Sequence, residues 1–370
     1  MRVVFIGVSV ILVACGVGPV PATGPTGGAG GGMAGGATSG GASGGETSTD
    51  AGSEGGGMAG GTVAGGGTGG GRTGGGGPGG GGTGGGLALP ADAGVDVIDL
   101  MIPSGGSAIA ARLFSPAGAT TPLPGLSLLP GGGASISSVE WAAVGLARSG
   151  YVVVITLPSS GGSLAAYHQA AVSGLDFLVS SANPVRSIIN ANALGVAGWS
   201  LGARALSRTQ EEDPRVKALV AWDNLATYET GDLGAPNCMG SSPTQRRTPR
   251  VPAMGQASDF CGPPGATPET KKVAFEWWRM NQQPTMQVVF AQSTHFVWGS
   301  PGAGTPTQAL ALAYTTAWFD RWLKNDLTAT ARLLSRYIGG VPIANALSPT
   351  YRSAASFDGV ICADLRQACP

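Results

Sequence analysis

Between residues 125 and 291 the chain carries six short runs that are almost wholly apolar: "GLSLLP" (125–130), "YVVVITLP" (151–158), "NALGVAG" (192–198), "VKALVAW" (216–222), "VPAMGQA" (251–257) and "TMQVVFA" (285–291). Strands with one wet face alternate polar and apolar residues, so unbroken apolar runs of this length belong to strands covered on both faces. Helix-like stretches lie among them, notably "SSVEWAAVGLARSG", "SLAAYHQAAVSGLDFLVSS" and "SLGARALSR", and "TQALALAYTTAWFDRWLKN" follows the last run. This order predicts an α/β fold, with a mostly parallel, doubly wound sheet and helices on both faces. Ahead of it, "VDVIDLMIP" and "SAIAARLFSP" predict an opening β-hairpin with Gly105-Gly106 near its turn.

None of this extends to the first 86 residues. From Gly16 to Gly86 the chain is nearly all Gly, Ala, Thr, Ser and Met, without a periodic large apolar residue. Such a segment cannot bury enough surface to offset its ordering entropy, and is expected to act as a flexible tether. About 70 Gly-rich residues give a root-mean-square reach of roughly 45 Å. Before it, Arg2 and the apolar run Val3–Val13 read as a secretory signal, too short for a permanent membrane helix. Residues 1–15 are therefore expected to be a signal, 16–86 a linker and 87–370 the folded domain.

Leu12-Val13-Ala14-Cys15 resembles a bacterial lipobox, which implies a lipidated Cys15 and an exported, lipid-anchored protein of the bacterial cell envelope, at the outer membrane or cell surface. Four further cysteines remain, and an even count in an exported chain predicts two disulfides. Cys362 and Cys369 are close in sequence, and Cys238 with Cys261 follows by elimination. A zinc site is not expected, because no C-x-x-C pair occurs and both histidines lie far from these cysteines. Net charge is zero, and no basic run points to nucleic acid. A monomer is expected.

Gly198-Trp199-Ser200-Leu201-Gly202 spells G-x-S-x-G, a pattern that also occurs at Gly41-Ala42-Ser43-Gly44-Gly45 inside the linker. Only Ser200 stands where an apolar strand stops and a helix starts. A sharp strand-to-helix turn needs small flanking residues and leaves the serine hydroxyl at the positive end of the helix.

A serine hydroxyl needs a base, and the base an orienting acid. Of the two histidines, His168 lies inside a predicted helix upstream of Ser200. His295, in "FAQSTHFVWGS", lies in the loop after the last apolar strand and is the expected base. For the acid, Asp259 in "VPAMGQASDFCGPP" is favoured, with Asp223 in "ALVAWDN" as its rival. The expected oxyanion donors are the backbone N–H groups of Leu201 and, from "PGGGAS", of Gly132, with Gly131 or Gly133 one residue away. Trp199, Trp222 and Phe296, with Phe260 and Trp298, lie beside these positions and are candidates for an apolar pocket.

The stretches "LLPGGGASISSVEWAAVGLARSGYVVVITLP", "GVAGWSLGA", "ALVAWDN" and "TTAWFDRWLKND" resemble the α/β-hydrolase superfamily over roughly residues 95–330, in particular its dienelactone-hydrolase-like branch of bacterial cutinases and polyester hydrolases. The resemblance implies the α/β-hydrolase fold, the order Ser200…Asp259…His295 and no cofactor. It implies a substrate-clamping role for Trp222, while Gly132 replaces the aromatic residue that forms the clamp's other side. The expected activity is hydrolysis of small-molecule or polymeric carboxylic esters. A peptidase or thioesterase on the same triad, and a non-catalytic binding protein on this scaffold, are the alternatives.

Overall fold

The computed structural model describes residues 94–159, 163–223, 225–227, 246–260, 272–300, 304–367 and 369. Cys15, the Gly-rich tract, Cys238 and Cys261 lie outside them, as does the second expected disulfide. Two ten-residue strands, β1 (Val95–Ser104) and β2 (Ser107–Pro116), pair antiparallel over their whole length, from Val95↔Pro116 to Ser104↔Ser107. Gly105 and Gly106 connect them with φ of 54° and 85°. Two successive positive φ values give the turn whose twist matches paired strands, and only residues such as glycine adopt both cheaply.

The apolar runs then form β3 (Leu123–Leu129), β4 (Val152–Thr156), β5 (Ile189–Trp199), β6 (Val216–Trp222), β7 (Ala253–Phe260) and β8 (Thr285–Thr294). β3 and β4 are buried at every position, as their lack of polar alternation requires. Between them come α1 (Glu140–Arg148), α2 (Leu164–Val179), α3 (Leu201–Glu212), α4 (Lys272–Met280) and, after β8, α5 (Pro306–Leu323). The C-terminal part adds α6 (Thr328–Leu333), a short hairpin β9 (Tyr337–Ile338) and β10 (Val341–Pro342), and α7 (Ile343–Ala346). It ends with β11 (Ala354–Phe357) and β12 (Val360–Cys362).

One ten-stranded sheet takes the order β1-β2-β4-β3-β5-β6-β7-β8-β11-β12. The six central strands β4-β3-β5-β6-β7-β8 run parallel, and antiparallel pairs close both edges. This is the expected doubly wound sheet, widened by the β11–β12 hairpin, which the sequence reading did not foresee. The Cys362–Cys369 disulfide, as expected, ties the end of the chain to β12.

The sheet separates two cores. One gathers Trp141 and Leu146 of α1 and Tyr314, Trp318 and Phe319 of α5; the other gathers Tyr167, Leu175 and Leu178 of α2, Leu206 of α3 and Trp278 of α4. α5 starts with a capping box, in which Thr305 accepts from the Gln308 N–H and Gln308 accepts from the Thr305 N–H, with Pro306 in the first turn. Among the described residues no helix is long and apolar enough to cross a membrane.

Candidate active site

The end of β5 delivers Ser200 and the start of α3 carries the chain away, so the turn between them occupies a single residue. Ser200 has φ 57° and ψ −118°, a region that L-residues other than glycine rarely adopt. It is held there by its N–H donating to the Trp222 carbonyl at 3.0 Å and its own carbonyl accepting from Arg204 N–H at 3.0 Å. The two glycines of the motif are required by close approach. A Cβ on Gly198 would lie 2.8 Å from the Gly202 carbonyl carbon, and one on Gly202 would lie 2.7 Å from Leu129 Cβ.

His295 reaches this turn from the end of β8. Its Nε2 lies 2.8 Å from Ser200 Oγ and its Nδ1 lies 2.6 Å from Asp223 Oδ2. An ionised carboxylate only accepts, so Nδ1 carries the proton and Nε2 is left to accept from the Ser200 hydroxyl. Asp223 is itself fully enclosed, its side chain 1% exposed, and it too adopts positive φ, 49°. Ser258 N–H donates to its Oδ1 at 2.8 Å, and Ser258 Oγ lies 3.0 Å from each carboxylate oxygen. Backbone strain at both ends of the hydrogen-bonded chain is the kind that surrounding structure sustains at reactive sites.

The acid on the histidine is thus Asp223, at the end of β6, rather than the expected Asp259. The physical reason is a bulge in β8. Ser258 of β7 pairs with Phe290, but the next pairing is Phe260 with Thr294, so extra residues of β8 bow out opposite Asp259. Gln292, in this bulge, takes φ 53° and donates its N–H to Asp259 Oδ2 at 2.6 Å. Asp259 Oδ1 is buried with no hydrogen-bond partner among the described residues. The bulge therefore holds the Asp259 carboxylate against the backbone of β8, while Asp223 occupies Nδ1.

The aromatic residues divide. Phe296 is 61% exposed and meets the His295 ring edge-on at 5.4 Å between centroids, an open apolar surface beside the base. Trp199 lies behind the base. It is buried, its indole N–H donates to the His295 carbonyl at 2.8 Å, and its ring centroid is 5.5 Å from the imidazole. Trp298 is fully enclosed and Phe260 exposed. Trp222 does not line a cleft as expected: it is 0% exposed, stacks on Trp141 at 5.5 Å and donates to Thr315 Oγ1 at 3.1 Å. Trp222→Ala is accordingly expected to lower folding stability by about 3–5 kcal/mol. Chemical denaturation reads this; a stable variant with a raised KM would instead make Trp222 a substrate contact.

Gly132 lies where the second oxyanion donor is expected, a Cβ on it falling 3.4 Å from Leu201 Cδ2. Leu201 opens α3, and the N–H groups of a first helical turn have no partner within their own helix. His168 plays no part in this chain of hydrogen bonds. It bridges α2 to α3, Nδ1 lying 3.1 Å from Thr209 Oγ1 and Nε2 3.2 Å from Glu212, and burial pulls its pKa below the ordinary value.

A serine on a strained strand-to-helix turn, on a sheet with this strand order, coincides with a family match. The PETase family model, described as PET hydrolase-like, matches residues 90–239. The chain has the α/β-hydrolase fold. The matched span holds β1 to β6, with the glycines after β3, Ser200 and Asp223; Asp259 and His295 lie beyond it. The match supports ester hydrolysis in general.

Proposed function

We propose that the protein cleaves carboxylic esters through an acyl-enzyme on Ser200, and that His295 and Asp223 complete its catalytic triad. The observation that carries this reading is the unbroken hydrogen-bonded chain from Ser200 Oγ through the imidazole to Asp223, at 2.8 and 2.6 Å. As Oγ bonds to the ester carbonyl carbon, its proton passes to His295 Nε2 and the carbonyl oxygen becomes an oxyanion. The N–H groups of Leu201 and Gly132 receive that charge, each donor of this kind being worth roughly 3–4 kcal/mol. Asp223 holds the ring's tautomer and offsets the imidazolium charge. The intermediate collapses, the alcohol leaves with the proton from Nε2, and water releases the acid by the same steps. No cofactor enters. Phe296 is the side chain best placed to rest against an apolar or aromatic acyl group. The same reading makes the protein a lipid-anchored envelope enzyme, tethered through Cys15 and the Gly-rich linker, so that it acts on esters outside the cell.

Hydrolysis of p-nitrophenyl acetate, butyrate and octanoate by the full chain, beside a matching thioester and anilide, tests the reaction class. Oxo-ester turnover well above anilide turnover is expected, with Ser200 labelled by a fluorophosphonate. Preference for the anilide would make the protein a peptidase, and neither turnover nor labelling would leave a binding protein.

A further inference from the structure

The glycine loop between β3 and α1 is held from behind by a side chain outside the triad. Tyr167, on α2 and only 3% exposed, donates its hydroxyl to the Gly131 carbonyl at 2.7 Å. The same carbonyl accepts from Ala134 N–H at 3.1 Å. On the other side the ring of Trp199 closes the space, a Cβ on Gly131 falling 2.6 Å from it. Burial raises the Tyr167 pKa, and a hydrogen bond with the Gly133 backbone offsets part of that rise.

The Gly131 carbonyl and the Gly132 N–H belong to one peptide unit, which is planar and trans, so they point in opposite directions. Two donors on the carbonyl fix its direction and with it the direction of the N–H. A hydrogen bond to a carbonyl also polarises its amide, which strengthens the N–H as a donor. Glycine residues supply no side chain to hold this orientation themselves.

We infer that Tyr167 is a positioning residue for the oxyanion hole, aiming the Gly132 N–H through the hydrogen bond from its hydroxyl to the Gly131 carbonyl. This rests on Gly132 being an oxyanion donor. Since an oxyanion forms only on the way to the transition state, the hydroxyl acts on kcat and not on substrate binding.

The test is Tyr167→Phe, which keeps the ring and removes only the hydroxyl, assayed with an oxo-ester and with the corresponding thionoester, whose sulfur accepts hydrogen bonds poorly. Loss of one oxyanion donor costs about 10²–10³ in kcat, so misaiming one is expected to cost roughly 5- to 50-fold. The expected pattern is that loss for the oxo-ester at unchanged KM, a smaller loss for the thionoester, and an unchanged melting temperature to within a few degrees. An equal loss on both substrates, or a loss confined to KM, would overturn the inference and leave Tyr167 a packing residue. Gly132→Pro, which deletes the N–H outright, separates the inference from its premise. Full activity in a folded Gly132→Pro enzyme would remove Gly132 from the oxyanion hole. Inactive Gly132→Pro beside a fully active Tyr167→Phe would keep the donor and overturn the role of the tyrosine.

Discussion

Replacing Ser200 by alanine is expected to lower kcat for p-nitrophenyl butyrate by roughly 10⁴-fold or more, because no other side chain can form the acyl-enzyme. The residual rate reports what substrate binding and the oxyanion donors achieve alone. Alanine keeps the left-handed φ of 57° and its cost, so the fold and its stability are expected to stay close to those of the parent. Ser200→Gly should be as inactive yet more stable by about 1 kcal/mol, since glycine adopts that conformation without strain. Thermal unfolding beside the ester assay reads both effects. An alanine variant retaining a tenth of the activity would place the chemistry elsewhere.

The parts of the site that the sequence made legible are those written in local chain geometry. Gly198 and Gly202 surround Ser200 because the turn leaves no room for Cβ atoms, and the apolar run before it and helix after it are visible in order. His295 was legible because it follows the last apolar run, and Gly105-Gly106 marked the hairpin for the same kind of reason. The acid was not. Asp223 directly follows β6 and Asp259 lies near the end of its parallel neighbour β7, and what separates them is a bulge in β8 that turns the Gln292 N–H onto Asp259. Nothing in "VVFAQSTHF" spells a bulge.

The direction of a side chain at a strand end was likewise hidden. Trp222 could face a cleft or the core, and Trp141 and Thr315, distant in sequence, place it in the core. On α2 the neighbours Tyr167 and His168 face different partners, the glycine loop and α3. Imidazole is the usual general base, so the sequence marks the histidine, while only the fold puts the tyrosine beneath the glycine loop. β11 and β12 are too short to carry a pattern of their own, and they become strands only because β11 joins the edge of β8 and β12 joins β11.

The measurement that bears most directly on the triad is kcat/KM of Asp223→Asn beside Asp259→Asn. Asparagine at 223 keeps the size of the side chain but can donate to Nδ1, which favours the tautomer with the proton on Nε2, where it blocks acceptance from Ser200. The comparable exchange in a serine protease triad lowers kcat by about 10⁴, and a loss of that order is expected here. Asparagine at 259 keeps an oxygen for the Gln292 N–H and lies outside the hydrogen-bonded chain, so a change of about tenfold or less is expected, on the order of exchanging a charge-assisted hydrogen bond for a neutral one. The opposite ranking, with Asp259→Asn crippled and Asp223→Asn near full activity, would contradict the triad described here and make Asp259 the acid of the working enzyme.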